Sequence, residues 1–357
     1  MKKVKQVFVF ALLATGIVVA PACNKNDDDN VDTTQLKKDI LTDAANTVAR
    51  ASYEDLATKA TALLTSVQTL NATTNDANLT ASKTAWKSIR ETWEQTEAWL
   101  FGPVGDQGLN VDPRIDTWPV DFNDLETILA GSDVLDDTYI DGLEESLKGF
   151  HPIEYLLWGQ DGAKSAADFT AREKEYLLAL AQNVNKLCAS VKTSWTGGYA
   201  NLLATAGASG NTEYPTSKLA YETLVDGMAG ICDEVANGKM KDPFDLQDPS
   251  QEESPFAKNS IIDFTNNIKG IMDMYQGRFI GDGKGIEDLV RAYNLSLDNE
   301  VKTAHATAIA SLQAITDPFG QAISSQSTLV QNAMAKINEL AVILDTKLKP
   351  FVQQYGQ

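Results

Sequence analysis

Apolar residues at helical spacing run through almost the whole chain, and this pattern constrains the fold more than any other feature. Leu36, Ile40, Leu41, Ala44, Val48, Leu56, Leu63, Val67 and Leu70 keep that spacing over some 35 residues. Further stripes follow: Trp86, Ile89, Trp93, Leu100; Leu177, Leu180, Val184, Leu187, Val191, Trp195; Ala220, Leu224, Met228, Ile231, Val235; Ile261, Phe264, Ile268, Ile271, Tyr275; Val301, Ala304, Ala308, Leu312, Ile315; and Val330, Met334, Ile337, Ala341, Leu344, Leu348. No stretch alternates with period two. Such a chain is all-α, and long helices each apolar on one side bury that side most simply as antiparallel bundles. Gly197-Gly198 and the loop from Thr205 to Pro215 break the chain near its middle. The expected organisation is a leader over 1–22, an acidic tether over 23–34, and two helical bundles over 35–205 and 206–357.

Charge removes several functions. Against 30 Lys and Arg stand 49 Asp and Glu, a formal net charge of −19. A nucleic-acid binder needs a basic face, so no nucleic-acid partner is expected. Two His are too few for a site built on three imidazoles, and three Cys too few for a disulfide scaffold. Cys188 and Cys232 lie beside the apolar stripes of their helices and read as buried thiols; a disulfide would need the two helices adjacent. His305 sits at the edge of an apolar stripe with no acid at i±3 or i±4 and reads as structural.

The N-terminus reads as an address. Lys2, Lys3 and Lys5 precede an apolar run from Val7 to Ala20, too short to span a membrane. Val19-Ala20-Pro21-Ala22-Cys23 places small residues directly before a Cys, as in a bacterial lipoprotein signal. Cleavage before Cys23 and acylation of its thiol would leave a lipid anchor in the membrane. The polar stretch Asn24-Lys25-Asn26-Asp27-Asp28-Asp29-Asn30 then serves as a tether. The expected location is the cell envelope, as an outer-membrane lipoprotein facing the periplasm or the surface.

Chemistry concentrates in Gly149-Phe150-His151-Pro152-Ile153-Glu154. Pro152 suits the first turn of a helix, which would set His151 at the N-cap and Glu154 at the third position. Two readings fit that spacing. Glu154 reaches back to cap the helix, or His151 and Glu154 serve as a pair of metal ligands. Arg90, Glu94 and Glu97 are spaced four and three apart and share one helix face at the edge of the core. By itself that pattern suits a solvated face with an Arg90–Glu94 pair. Ser260, Asp263 and Asn267 form a polar stripe on another helix, opposite Ile261, Phe264 and Ile268, and ordinary amphipathicity would explain it.

These segments together resemble the imelysin-like proteins, a family that includes iron-regulated envelope proteins and an insulin-cleaving membrane protease. Gly149 to Glu154 matches their G-x-H-x-x-E motif. Trp86-Lys87-Ser88-Ile89-Arg90 with Trp93-Glu94-Gln95-Thr96-Glu97 is similar to the family's helix bearing an Arg and a Glu-x-x-Glu pair. Asp112-Pro113-Arg114-Ile115-Asp116-Thr117-Trp118-Pro119 is similar to its Asp-rich loop, and Asn259-Ser260-Ile261-Ile262-Asp263 with Tyr275-Gln276-Gly277 to its second-half helix. The resemblance implies two related helical bundles, a duplication, with a site between them. It implies metal ligands among His151, Glu154, Glu97, Glu94, Asp112 and Asp116, and further ligand-binding residues in Arg90, Ser260 and Asp263. It also implies iron, with zinc, manganese or calcium as alternatives suited to carboxylates and one imidazole. An iron-uptake transporter or a chelate would be the partner.

A peptidase, which the family's name suggests, lacks its parts in this sequence. No H-E-x-x-H places two His and a Glu on one helix face, and no G-x-S-x-G elbow appears. A structural or adhesive surface module is the remaining alternative.

Overall fold

In a computed structural model, which describes residues 32–105 and 108–357, the helical stripes become helices almost one for one. The leader, Cys23 and the acidic run after it lie outside the described residues. We label the principal helices α1 (Thr34–Asp43), α2 (Ala51–Ala72), α3 (Asp76–Thr96), α4 (Asp112–Asp116), α5 (Phe150–Trp158), α6 (Ala171–Ser194), α7 (Ser217–Glu234), α8 (Ser260–Gln276), α9 (Leu295–Gln313) and α10 (Ser327–Ile343). Among the described residues no strand forms, and no helix is long and apolar enough to cross a membrane.

Local chemistry sets the helix starts. Asn75 opens α3 by accepting the Asn78 amide at 2.8 Å. Thr170 and Glu173 cap α6 reciprocally, and Thr216 caps α7 by accepting the Leu219 amide. The helix ends are less regular. π-helical stretches continue α1 (Ala44–Arg50), α6 (Trp195–Tyr199), α7 (Val235–Lys239) and α10 (Leu344–Leu348). A π turn holds one more residue than an α turn and re-aims the side chains after it, which is why such bulges gather at functional sites. Gly197 and Gly198 lie inside the second of these stretches, where Gly198 takes φ 148°.

Two packing groups appear. In the first, α2 contacts α3 and α6, and α5 contacts α3 and α6; in the second, α10 contacts α7 and α9, and α8 contacts α7 and α9. The groups meet where α3 lies against α8, and Thr33–Gln357 form one compact unit. Gly270 permits that meeting, since a Cβ there would overlap the Gln95 carbonyl oxygen. Gly227 on α7 does the same against the Ala98 carbonyl. Around this seam Trp86, Trp93, Trp99 and Phe150 are fully buried, and the Trp86 indole donates to the Phe150 carbonyl at 2.9 Å, tying α3 to α5.

Cys188 and Cys232 are free and buried; burial pushes the Cys188 thiol up to about 12, where no reactive thiolate forms. His305 is tied to the Ile268 carbonyl at 2.9 Å.

Two outcomes test this packing. Gly270→Ala gains helix propensity worth about 1 kcal/mol but must push α3 and α8 apart, so the net loss measured by denaturant unfolding should be on the order of 1–3 kcal/mol. On the same helix, burial pushes half-buried Asp273 up to about 7, only partly offset by Lys269. The fold therefore favours the protonated acid, and this contribution is lost as pH rises from about 4, the ordinary carboxylate range, to 7. Asp273→Asn should raise the melting temperature above pH 7 and leave it unchanged near pH 4.

A buried carboxylate cluster around Arg90 and His151

The site collects side chains from both packing groups. From α3 come Arg90 and Glu94, with Glu97 on the 3₁₀ turn that follows (Glu97–Trp99); α4 supplies Asp116, α5 His151 and Glu154, and α8 Asp263 and Asn267. The π stretch after α7 delivers Lys239, and Glu253 comes from the segment leading into α8. Arg90, Glu94, His151, Glu154, Asp263 and Asn267 are wholly buried. The stripes that resembled solvated faces therefore point inward, because α3 and α8 turn them toward each other.

Arg90 is the centre of the cluster. Its guanidinium pairs with Asp116 and with Glu94, donates to Glu253 at 2.8 Å and lies 3.7 Å from Asp263. Asp116 also accepts the Trp93 indole N–H at 2.7 Å. Asp263 accepts from Ser254 at 2.6 Å and Asn259 at 2.8 Å, while Ser260 donates to Glu252 at 2.8 Å. Ser260 and Asp263 thus hold the segment that carries Glu253 against α8.

His151 is not a cap. Its helix begins one residue earlier, at Phe150, with Gly149 (φ 88°) at the N-cap and no side-chain cap. Gly149 packs so closely on Ile115 that a Cβ would overlap that residue's carbonyl, which fixes where the helix starts and places His151 in its first turn. His151 Nε2 lies 3.2 Å from Asp116 and 3.8 Å from Glu253, and Nδ1 lies 3.6 Å from Glu154. Neither ring nitrogen has a hydrogen-bond partner, so these approaches are charge contacts without bonding geometry. Glu154 Oε1 accepts the Phe256 and Ala257 amides at 3.0 and 2.7 Å, while its Oε2 faces His151 Nδ1.

Lys239 closes the outer side. Its ammonium lies 3.1 Å from Glu97, 3.4 Å from Glu253, 3.6 Å from Glu234, 3.9 Å from Glu94 and 4.0 Å from Asp116. Asn267 bridges Glu94 and Glu97 through its amide. Beyond Lys239 an open cleft of about 380 Å³ leads to the surface, lined in part by Glu97, Asp112, Asp116, Trp118, Glu234 and Glu253.

The ionisation of these groups follows from burial set against neighbouring charge. Burial alone would raise Asp116, but Arg90, His151 and Lys239 outweigh it and hold this carboxyl below its ordinary range. Glu253 ends lower for the same reason, with Lys239 its strongest partner. For Glu94 burial wins, and the group rises to about 8; Glu97 rises too. Burial opposes charge on His151, yet Asp116 and Glu154 lift it to about 9. Asp116 and Glu253 are therefore standing anions, and a cation bound at His151 must displace a proton.

Two groups of donors are close enough to share an ion. Asp116, His151 and Glu253 offer ligand atoms all within 4.8 Å of one another, and so do Glu94, Glu97 and Asp116. Glu154 and Asp112 fall in neither group: Glu154 is engaged by backbone amides, and Asp112 stands in the cleft wall.

The comparisons with known proteins cover nearly all of this architecture. The family model described as Imelysin matches residues 49–344. This chain belongs to the imelysin family. The iron-regulated protein A of Synechococcus elongatus is 30% identical over 311 residues, covering 85% of this chain and 83% of that protein. The crystal structure assigned as an iron-regulated protein A precursor from Parabacteroides distasonis superposes with a TM-score of 0.80 at 25% identity, covering 90% of this chain and 95% of that one. An imelysin-like protein from Psychrobacter arcticum shares the fold, with a TM-score of 0.69 at 12% identity over 88% of this chain and 95% of that one.

In this imelysin the motif reading of the sequence found the inner half of the cluster: Arg90, Glu94, Glu97, Asp116, His151, Glu154 and Asp263. It missed Lys239 and Glu253. Nothing in their spacing marks them, since Lys239 reaches the site through a π turn and Glu253 through an irregular segment held by Ser254 and Ser260. Asn267, one turn beyond Asp263 on the same stripe, was visible but carried no sign of pointing inward.

Removing the central cation should be costly. Arg90→Met leaves Asp116 buried without its main partner and takes one cation from Glu253, and breaking a buried pair by deleting one member typically costs about 3–5 kcal/mol. Denaturant unfolding of this variant should show a loss of that size, with partial recovery when Asp116→Asn is added.

Proposed function

We propose that this imelysin is a lipid-anchored protein of the cell envelope that binds a metal ion, with Asp116, His151 and Glu253 as the donors. One observation carries the reading: the ligand atoms of these three residues lie within 4.8 Å of one another, while both nitrogens of the buried His151 ring lack a hydrogen-bond partner. A buried imidazole held between Asp116 and Glu253 at 3.2 and 3.8 Å suits a ligand once its proton leaves. Energetics support it. Each buried ion costs several kcal/mol in desolvation, and apolar residues would fill the same space at no such cost. A cluster of this kind is better explained by use than by stability.

Two carboxylates and one imidazole favour a hard or borderline ion: iron, manganese, zinc or calcium. Iron leads, because relatives of this chain are named for regulation by iron. Glu94, Glu97 and Glu154 would tune the charge around the ion. The basic leader, the small residues before Cys23 and the precursor name of the Parabacteroides relative support an envelope location, where such a protein would hand metal to an uptake transporter.

The test is calorimetric titration of the purified, chelator-treated protein with Fe(II), Mn(II) and Zn(II), followed by metal analysis. One equivalent should bind. His151→Ala and Glu253→Gln should each weaken binding by tenfold or more while leaving the helical circular dichroism intact, and unchanged affinity in both would overturn the assignment. For the anchor, Cys23→Ser should move the protein out of the membrane fraction, and a mature species that still sediments with membranes would refute lipidation.

A further inference from the structure

We infer that the cleft admits metal as a free hydrated cation and turns away anionic chelates. The inference rests on the reading of Asp116, His151 and Glu253 as donors, and concerns the form in which the ion arrives. The family resemblance implied a ligand-binding role for Arg90 and named a chelate among the partners, and a guanidinium could hold an anionic chelate only if its charge were free. The structure removes that role. Arg90 is wholly buried and already faces Asp116, Glu94, Glu253 and Asp263. Lys239, among the described residues the only basic one that lines the cleft, is likewise held by carboxylates, with five of them within 4.0 Å. Neither cation has charge to spare for an incoming anion.

The walls carry the opposite sign. Asp112, Asp116, Glu234, Asp242 and Glu253 line the cleft, beside Glu97, whose carboxyl is pushed toward the neutral form by burial. Burial, with Asp116 and Glu234 adding to it, pushes the Asp112 carboxyl up to about 7, so at pH 8 it adds its charge to the wall. A cleft lined by one sign of charge focuses the field and speeds the entry of counter-ions by roughly 10-fold or more. Size does not make the selection. The cleft of about 380 Å³ has room for roughly a dozen water molecules at about 30 Å³ each, enough for a hydrated ion and also for a small organic chelate. Charge therefore decides between them. Asp116 and Glu253 line the cleft, and the wholly buried His151 lies 3.2 and 3.8 Å from them.

The experiment uses the full-length, chelator-treated protein at pH 8 and low ionic strength. Manganese(II) chloride is offered in one arm, and ferric citrate with radiolabelled citrate in the other. Rapid-mixing measurement of loading compares the wild type with Glu234→Gln/Asp242→Asn, two wall residues outside the donor set. The wild type should take up manganese rapidly, with a rate that falls as salt is added, and should retain no citrate. The double variant should load about tenfold more slowly at low salt, with a flatter salt dependence and the same final stoichiometry. Citrate retained in step with iron, or a double variant that loads as fast as the wild type, would overturn the inference while leaving the donor assignment standing. Uptake of no metal from either arm would overturn both.

Discussion

The burial of the Arg90 guanidinium among carboxylates is the interaction on which the rest of the structure depends. An arginine cannot shed its charge, so a wholly buried one requires anions in fixed places. Here they come from four separate parts of the chain: Glu94 from the same helix, Asp116 from α4, Glu253 from the segment before α8, and Asp263 from α8 itself. Each must be held at ion-pair distance, and the surrounding aromatic residues, the Trp93 indole and the Ser254 and Asn259 side chains hold them there. The two packing groups are joined through this point as well as through apolar contact.

Close backbone approach makes the arrangement possible. A polar seam between two helices works only if the side chains reach one another without water, and Gly270 and Gly227 let the backbones come near enough. The π stretch Val235–Lys239 completes the seam by turning Lys239 inward at the end of α7. Without that ammonium, Glu97 would lose the cation that pairs with it, and Glu253 would be left to Arg90 and His151. The cluster holds six carboxylates, Glu94, Glu97, Asp116, Glu154, Glu253 and Asp263, against two fixed cations. Burial keeps Glu94 mostly protonated at neutral pH, whereas Asp116 and Glu253 stay ionised, so a further positive charge is received beside them as the His151 proton leaves.

Membership in the imelysin family and the fold shared with its solved members agree with this construction, but the chemistry is read from the residues themselves. The G-x-H-x-x-E motif works as two separate devices here. Its Gly fixes where α5 begins, and its His and Glu face the cluster in different ways. His151 meets Asp116 and Glu253 with its ring unbonded, whereas Glu154 spends one oxygen on the backbone of Phe256 and Ala257. The Glu thereby docks the segment after Glu253 onto α5 and aligns one of the donors.

The sequence by itself determined the helices. Spacing of apolar residues is a local property, and the run from Leu36 to Leu70 became α1, its π continuation and α2 as the periodicity required. It also determined most of the chemistry-bearing residues, through motif resemblance, although periodicity alone read Arg90-Glu94-Glu97 and Ser260-Asp263-Asn267 as solvated faces. Only the tertiary structure decided that these two stripes face each other, because amphipathicity tells which residues differ in polarity and not what covers the polar side. It alone placed Glu253, 163 residues from Arg90 along the chain, within reach of His151, and set Lys239 over the cluster. Those positions depend on a π turn, a glycine contact and a loop pinned by two serines, and each is a consequence of packing that no local spacing encodes.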